Sequence, residues 1–138
     1  SRPYSIFCHH PVTTDTNQHG YGDINLPKLI GALQQRGNVF VLTPNSDLGY
    51  SHFERVINGL SNVKLFRNIN PDTYLPLLCE SEVLVGNSSS GIRESCYFGT
   101  PVVNIGERQS GRLAGANVTH CVAETDAILK SINSLIYV

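Results

Sequence analysis

The sequence of 138 residues contains neither methionine nor tryptophan, and its four cysteines form no motif. Cys8, Cys79, Cys96 and Cys121 are widely spaced, with no CxxC pair and no histidine at the spacing of a metal ligand. This spacing argues against a zinc module and predicts buried thiols in a reducing cytoplasm. Because even an initiator methionine is absent, we expect a processed product or a piece of a longer protein.

The sequence also has no large excess of acidic or of basic residues. The 10 Lys+Arg residues against 11 Asp+Glu residues leave a formal net charge of -1, whereas nucleic-acid-binding domains carry a basic excess. No apolar run approaches the roughly 18 residues that cross a bilayer, and the first residues show no signal-peptide pattern. We therefore expect a cytoplasmic protein whose partners include neither nucleic acid nor membrane.

Short apolar runs alternate with helical patterns along the chain. The predicted strands are residues 6–8, 39–42, 63–66, 83–85, 102–105 and 118–122. Helices are expected near residues 27–33, 50–60, 71–79, 92–98 and 123–138. This alternation implies right-handed crossovers and a parallel sheet. The predicted fold is α/β, a single Rossmann-like, doubly wound domain over residues 1–138.

Side chains that could bind a ligand or take part in catalysis follow the ends of the predicted strands. His9 and His10 follow the first strand, Asn45 follows the second, and residues 86–91 and 106–112 follow the fourth and fifth. In doubly wound sheets, ligands collect at the carboxyl ends of the strands. The sequence therefore predicts one shared site at that edge.

A serine-rich turn is the strongest local signal. Ser88, Ser89 and Ser90 precede Gly91 and a predicted helix, whose free N–H groups suit an anion such as phosphate. The turn is neither a Walker loop nor a GxGxxG motif. A plain strand–turn–helix connection with serine as the N-cap is the open alternative.

Three charged or titratable side chains are expected at the same edge as this turn, and each has two interpretations. Glu94 is either a capping-box partner or a carboxylate that accepts hydrogen bonds from a ribose diol. Arg108 is either a bidentate partner of a diphosphate or a solvated loop residue. His10 is either a phosphate donor or acid, or a packed loop histidine.

Five motifs in order along the chain carry a family resemblance. They are residues 10–15, 44–49, 86–94, 98–112 and 117–118. Together they resemble the hydrolysing UDP-N-acetylglucosamine 2-epimerases, most closely the branch that starts sialic-acid synthesis. The longest part, from Gly86 to Arg112, makes the resemblance specific.

The resemblance implies one half of a glycosyltransferase-B type enzyme with two Rossmann-like domains. This chain is similar to the carboxyl-terminal, UDP-binding half. The family eliminates UDP from UDP-N-acetylglucosamine and adds water, which yields N-acetylmannosamine, without a metal or other cofactor. The implied partners are UDP and its sugar conjugate, the missing amino-terminal domain and further copies in a homo-oligomer.

Matching motif positions carry the family's site residues onto this chain. At the diphosphate the resemblance implies Ser88, Ser89, Arg108 and His10, and it makes His10 the catalytic candidate of this half. At the nucleoside it implies Glu94 on the ribose hydroxyls, Asn45 near the nucleotide and the Ile69 backbone on uracil.

The resemblance also implies what this chain lacks. The family's proton-transferring carboxylates belong to the amino-terminal domain, so we expect the isolated chain to be inactive. Two alternatives stay open: the nucleotide-sugar-binding half of a glycosyltransferase, and a non-catalytic nucleotide-binding module.

Overall fold

The protein is described here by a computed structural model that covers residues 4–8, 24–43, 55, 57–60, 63–67, 70–86, 94–95, 98–105, 117–122 and 124–136. Within these residues the strands are β1 (Tyr4–Cys8), β2 (Asn38–Thr43), β3 (Val63–Arg67), β4 (Leu84–Gly86), β5 (Val102–Ile105) and β6 (Val118–Cys121). The helices with full bounds are α1 (Leu26–Gln34), α2 (Pro71–Glu80) and α3 (Thr125–Ile136).

All six strands are parallel and form one sheet in the order β3-β2-β1-β4-β5-β6. The order reverses between β1 and β4, which are neighbours although β2 and β3 lie between them in sequence. This is the doubly wound arrangement, and it opens a crevice outside the carboxyl ends of the strands at the reversal. The predicted Rossmann-like α/β fold is confirmed.

Alternating strand residues supply two apolar cores, one on each face of the sheet. On one face, Phe7, Val85 and Val103 pack with α1 and α3. On the other face, Ile6 and Leu84 pack with α2. We call these the α1/α3 face and the α2 face. Burial on both faces explains why the strands are continuous apolar runs.

Two asparagines begin helices whose first residues the sequence marks clearly. The Asn25 Oδ1 accepts a hydrogen bond from the Lys28 backbone N–H at 3.1 Å, and the Asn70 Oδ1 accepts one from the Thr73 N–H at 3.0 Å. Each satisfies an N–H that has no partner within the helix. The predicted beginning of α2 at the Asn70-Pro71 pair is thereby confirmed.

Two predicted helices fall partly outside the described residues. Arg55, Ile57 and Asn58 are helical within the predicted 50–60 helix. Glu94, Ser95 and Phe98 are helical within the predicted 92–98 helix. We call the latter three residues the Glu94 segment.

The cysteine prediction holds in part. Cys8 is buried, but Cys79 and Cys121 are only half-buried, and Cys121 lies at the margin of the core on the α1/α3 face. Burial still raises the pKa of the Cys121 thiol, although a hydrogen bond with Ser131 acts in the opposite direction. Cys96 lies outside the described residues. None of the three described cysteines forms a disulfide, and no described helix is long and apolar enough to cross a membrane.

Candidate functional site

Five predicted site loops follow strands that end at the same edge of the sheet. Because the strands are parallel, Cys8, Thr43, Arg67, Gly86 and Ile105 all close their strands there, and we call this the carboxyl edge. The predicted site residues two or three positions further on lie outside the described residues: His10, Asn45, Ile69, Ser88, Ser89 and Arg108. Their roles therefore stay predictions, and Glu94 is the described member of the set.

One rung of the sheet at the carboxyl edge is occupied by polar or small residues. Cys8 pairs in register with Gly86, Gly86 with Asn104, and Asn104 with His120. By strand alternation this rung faces the α2 side, next to the apolar rung that Ile6, Leu84 and Val102 form. The α2 face thus changes from apolar to polar as it reaches the predicted site.

Gly86 occupies a position that no side chain fits. Its φ is +155°, and a Cβ atom there would lie 1.8 Å from the Cys8 carbonyl oxygen. The backbones of β1 and β4 therefore approach as closely as they do only because residue 86 is glycine. This contact holds the end of β4 against β1, and the serine-rich turn follows β4 in the sequence.

Asn104 is a polar side chain in the core. It is fully buried, and its Nδ2 lies 2.9 Å from the Nδ1 of the exposed His120. With Nδ2 as the donor, this ring nitrogen is the acceptor and the imidazole proton is assigned to Nε2. The Asn104 Oδ1 has no hydrogen-bond partner in the described structure. A buried acceptor without a partner costs stability, so Asn104 is an exception to the usual pairing of buried polar groups.

Glu94 and Tyr74 interact electrostatically across the α2 face. Glu94 is half-buried, and Tyr74 lies in the first half of α2 with its hydroxyl buried and without a hydrogen-bond partner in the described structure. Burial raises the pKa of the Tyr74 hydroxyl well above its usual range, and the charges of Cys8 and Glu94 raise it further. Tyr74 is therefore a neutral donor at any physiological pH, close to the carboxylate predicted to bind ribose.

The Glu94 segment is fastened to the sheet by Asn117, the residue before β6. The Asn117 Nδ2 donates to the Ser95 Oγ at 2.9 Å and to the Thr100 carbonyl at 2.7 Å. The Thr100 Oγ1 in turn donates to the Leu78 carbonyl of α2 at 3.1 Å. The sequence motif that includes Asn117 therefore has a physical role at the end of the sheet where the strands begin, the amino edge.

A second concave region lies at the amino edge and is remote from the predicted site. It is a cavity of about 500 Å³ between α1 and α3. Its lining includes the Arg36 and Glu82 side chains, whose Nε and Oε1 atoms are 3.2 Å apart. Arg36 also donates to the Asn133 Oδ1 at 3.3 Å. These contacts join the α1 and α3 side of the domain to the chain before β4. Because these polar side chains bond to one another, they do not indicate a ligand site.

The described residues hold no cluster of three histidine, cysteine or acidic side chains that could bind a metal ion. Among the described residues at the carboxyl edge, Glu94 was predicted from the sequence, whereas Asn104 and Tyr74 were not. Asn104 had one signal, since it interrupts the apolar run Val102-Val103-Asn104-Ile105. Tyr74 had none, because a half-buried tyrosine on an amphipathic helix is common.

The chain matches one family model and many relatives. The model described as UDP-N-acetylglucosamine 2-epimerase covers residues 1–137. A UDP-N-acetylglucosamine 2-epimerase of Neisseria meningitidis is 32% identical over 134 residues, which are 94% of this chain and 34% of the relative. A GDP/UDP-N,N'-diacetylbacillosamine 2-epimerase (hydrolyzing) of Campylobacter jejuni is 32% identical over 117 residues, which are 82% of this chain and 30% of the relative. The chain thus spans about a third of these curated relatives.

Solved structures share the fold at low sequence identity. A Methanocaldococcus jannaschii UDP-GlcNAc 2-epimerase in complex with UDP-GlcNAc and UDP matches with a TM-score of 0.71 and 13% identity, covering 98% of this chain and 39% of that one. The ADP-heptose lps heptosyltransferase II of E. coli matches with a TM-score of 0.70 and 13% identity, covering 99% of this chain and 47% of that one. This chain therefore shares the fold of part of each of these longer proteins.

The family model spans nearly every residue and agrees with the fold and with the order of the motifs. This chain belongs to the UDP-N-acetylglucosamine 2-epimerase family.

Proposed function

We propose that the chain is the UDP-binding domain of a hydrolysing UDP-N-acetylglucosamine 2-epimerase. The parent enzyme would convert UDP-N-acetylglucosamine into N-acetylmannosamine and UDP. The observation that carries the proposal is the family match over residues 1–137, together with a parallel sheet that ends the strands before all the predicted loops at one edge. A hydrolysing relative among the similar proteins supports the hydrolytic form of the reaction.

The proposed reaction has two steps, and this half would serve the first. A base removes the proton at C2 of the sugar while the C1–O bond breaks and UDP leaves. Water then adds across the resulting double bond and gives the 2-epimer. The leaving diphosphate gains negative charge, which Ser88, Ser89, Arg108 and His10 would stabilise as donors or as a cation. The C2 base would come from an amino-terminal domain, so the chain alone would bind UDP without turnover.

Glu94 would hold the ribose of UDP. A carboxylate beside a bound phosphate repels it, whereas two hydroxyls of a ribose donate to a carboxylate favourably. The half-buried position of Glu94 leaves part of its side chain accessible to a ligand. Asn45 and the Ile69 backbone would complete the nucleoside contacts.

The first test is a titration of the 138-residue chain with UDP and with 2′,3′-dideoxy-UDP. We expect Glu94→Ala to weaken UDP binding about 30-fold, because two hydrogen bonds to a charged group are lost. The dideoxy analogue should lose less than about twofold, since it never made them. Calorimetry would measure both dissociation constants.

Glu80→Ala is the matched control, because it removes the same charge from an exposed position at the end of α2. It should leave both ligands unaffected. Equal weakening of UDP and the analogue by Glu94→Ala would instead assign Glu94 to the capping role.

A second experiment separates the proposed reaction from a glycosyltransferase. The chain would be joined to the amino-terminal domain of the parent protein and supplied with UDP-N-acetylglucosamine and water. Release of N-acetylmannosamine is expected. Transfer of the sugar to an added acceptor would favour the glycosyltransferase half, and failure to bind UDP, UMP or CMP would favour a non-catalytic module.

Two further properties belong to the same proposal. We place the protein in the cytoplasm, which the free thiol of Cys121 supports because disulfides form mainly in oxidising compartments. We also expect the parent enzyme to be a homo-oligomer. Size-exclusion chromatography with light scattering on the parent protein measures that state.

A further inference from the structure

We infer that Asn117 is a positioning residue, which orients Glu94 toward the ribose by fastening the Glu94 segment from the amino edge of the sheet. The inference rests on the proposed function, because it gives Glu94 a ligand to meet. It concerns a residue that touches neither the nucleotide nor the reacting atoms.

The first step is that Asn117 uses its whole donor capacity on the Glu94 segment and its surroundings. An amide NH₂ group has two N–H donors. One bonds to the Ser95 Oγ at 2.9 Å and the other to the Thr100 carbonyl at 2.7 Å. An aspartate or a leucine at position 117 offers neither donor, so the arrangement specifies asparagine.

The second step is that Asn117 itself is fixed. Its backbone carbonyl accepts a hydrogen bond from the Val102 N–H at 2.9 Å, which continues the ladder between β5 and β6. Thr100 is fully buried and bonds to the Leu78 carbonyl of α2 at 3.1 Å. The amide therefore links the Glu94 segment to a rigid sheet and, through Thr100, to the helix that carries Tyr74.

The third step connects Ser95 with Glu94. Adjacent residues of a helix point about 100° apart around its axis, so a hydrogen bond that fixes the direction of Ser95 also fixes the direction of Glu94. Ser95 is fully buried while Glu94 is half-buried. Rotation of the segment would move both at once, and the Asn117 bond to Ser95 opposes that rotation.

The test measures the ratio of the dissociation constant of 2′,3′-dideoxy-UDP to that of UDP. A variant that only destabilises the fold lowers the binding-competent fraction for both ligands equally and leaves this ratio unchanged. A variant that misorients Glu94 weakens UDP alone. We expect Ser95→Ala and Asn117→Ala each to lower the ratio about fivefold.

A double-mutant cycle tests that the effect passes through Glu94. In the Glu94→Ala background, Asn117→Ala should change the UDP dissociation constant by less than about twofold. Asn25→Ala is the matched control, because it removes an amide that caps α1 on the opposite face of the sheet. It should lower stability and leave the ratio unchanged.

The outcomes are distinct. If Glu94→Ala lowers the ratio but Ser95→Ala and Asn117→Ala do not, the inference is wrong and the proposed function stands. If the chain does not bind UDP, or Glu94→Ala leaves the ratio unchanged, the proposed role of Glu94 fails and the inference with it. Should Asn117→Ala not fold, Ser95→Ala decides the question, because it leaves the bond from Asn117 to Thr100 in place.

Discussion

Among the described residues, buried polar side chains at the amino edge are hydrogen-bonded, whereas two buried polar atoms at the carboxyl edge of the α2 face have no hydrogen-bond partner. Hydrogen bonds at the amino edge link Asn117 to Ser95 and Thr100, and Thr100 to the Leu78 carbonyl. At the carboxyl edge, the Asn104 Oδ1 and the Tyr74 hydroxyl have no partner in the described structure. Both edges are built from the same strands, and they differ in how completely their described buried polar groups are hydrogen-bonded.

The two edges of this sheet therefore differ in how well their buried polar groups are satisfied, and we relate that difference to the predicted ligand site. Natural proteins satisfy buried polar groups unless another demand prevails, and local rules are broken mainly at functional sites. The amino edge follows the rule, and it also holds the ion pair between Arg36 and Glu82. The carboxyl edge has two buried polar atoms without a hydrogen-bond partner among the described residues, at the place where the family motifs predict a nucleotide. Three sets of variants test this comparison.

The largest effect is expected at the closest backbone contact of the carboxyl edge. Gly86→Ala places a Cβ atom 1.8 Å from the Cys8 carbonyl oxygen, so β1 and β4 must separate. We expect a loss of more than about 4 kcal/mol in the free energy of unfolding, or no folding at all. Chemical denaturation followed by circular dichroism measures it.

Gly31→Ala is the control for this change. A Cβ atom at Gly31 meets nothing within 4 Å, and the residue lies inside α1. The variant should gain about 0.5–1 kcal/mol, because alanine favours a helix. A well-folded Gly86→Ala protein would show that the two strands tolerate separation and would remove the basis for a fixed carboxyl edge.

An intermediate effect is expected when Asn104 becomes charged. Asn104→Asp removes the donor to His120 and buries a carboxyl group, so its folded pKa must rise above the unfolded value of about 3.9. A raised carboxyl pKa means that the folded state binds more protons, so stability falls as pH rises above about 4. We expect a loss of about 3 kcal/mol at pH 7 and a smaller loss at pH 5, because more of the buried carboxyl group is protonated at pH 5.

Urea denaturation of this variant and the unmodified chain at both pH values measures the difference. Asn58→Asp, at an exposed helical position, is the control. A loss that is the same at pH 5 and pH 7 would mean that the residue 104 side chain is not held in the core.

The smallest effect comes from deleting one hydroxyl at each edge. Thr100→Val removes a buried hydroxyl that donates to the Leu78 carbonyl and should cost about 1 kcal/mol. Tyr74→Phe removes a buried hydroxyl without a hydrogen-bond partner in the described structure and should be neutral or stabilising by up to about 1 kcal/mol. Thermal denaturation of the two variants compares them. Equal losses would mean that both edges are equally satisfied.

The sequence was sufficient for the architecture because a parallel sheet has a strong local signature. Apolar runs such as Val39–Leu42 are buried on both faces, and their alternation with helices determines the strand direction. Glu94 could also be chosen, since it follows a glycine- and serine-rich turn at a fixed distance. These features depend on neighbours along the chain.

The polar contacts could not be predicted because they join residues that are distant in sequence. Asn117 meets Ser95 across 22 positions and Thr100 across 17. The pairing of Asn104 with His120 depends on the register of β5 and β6, which a hydrophobic pattern defines only by face. Tyr74 reaches the carboxyl edge through the packing of α2, and no local signal encodes that packing.

Strand β4 has only three residues, and each of them pairs with β1 on one side and β5 on the other. Because the strand order reverses between β1 and β4, the three residue pairs between these strands join two three-stranded halves of the sheet. The loop after β1 belongs to one half and the serine-rich turn to the other, although both would contact the same diphosphate. A ligand that contacts both loops would add to the three residue pairs between β1 and β4. Nucleotide binding would therefore strengthen the association of the two halves of the sheet.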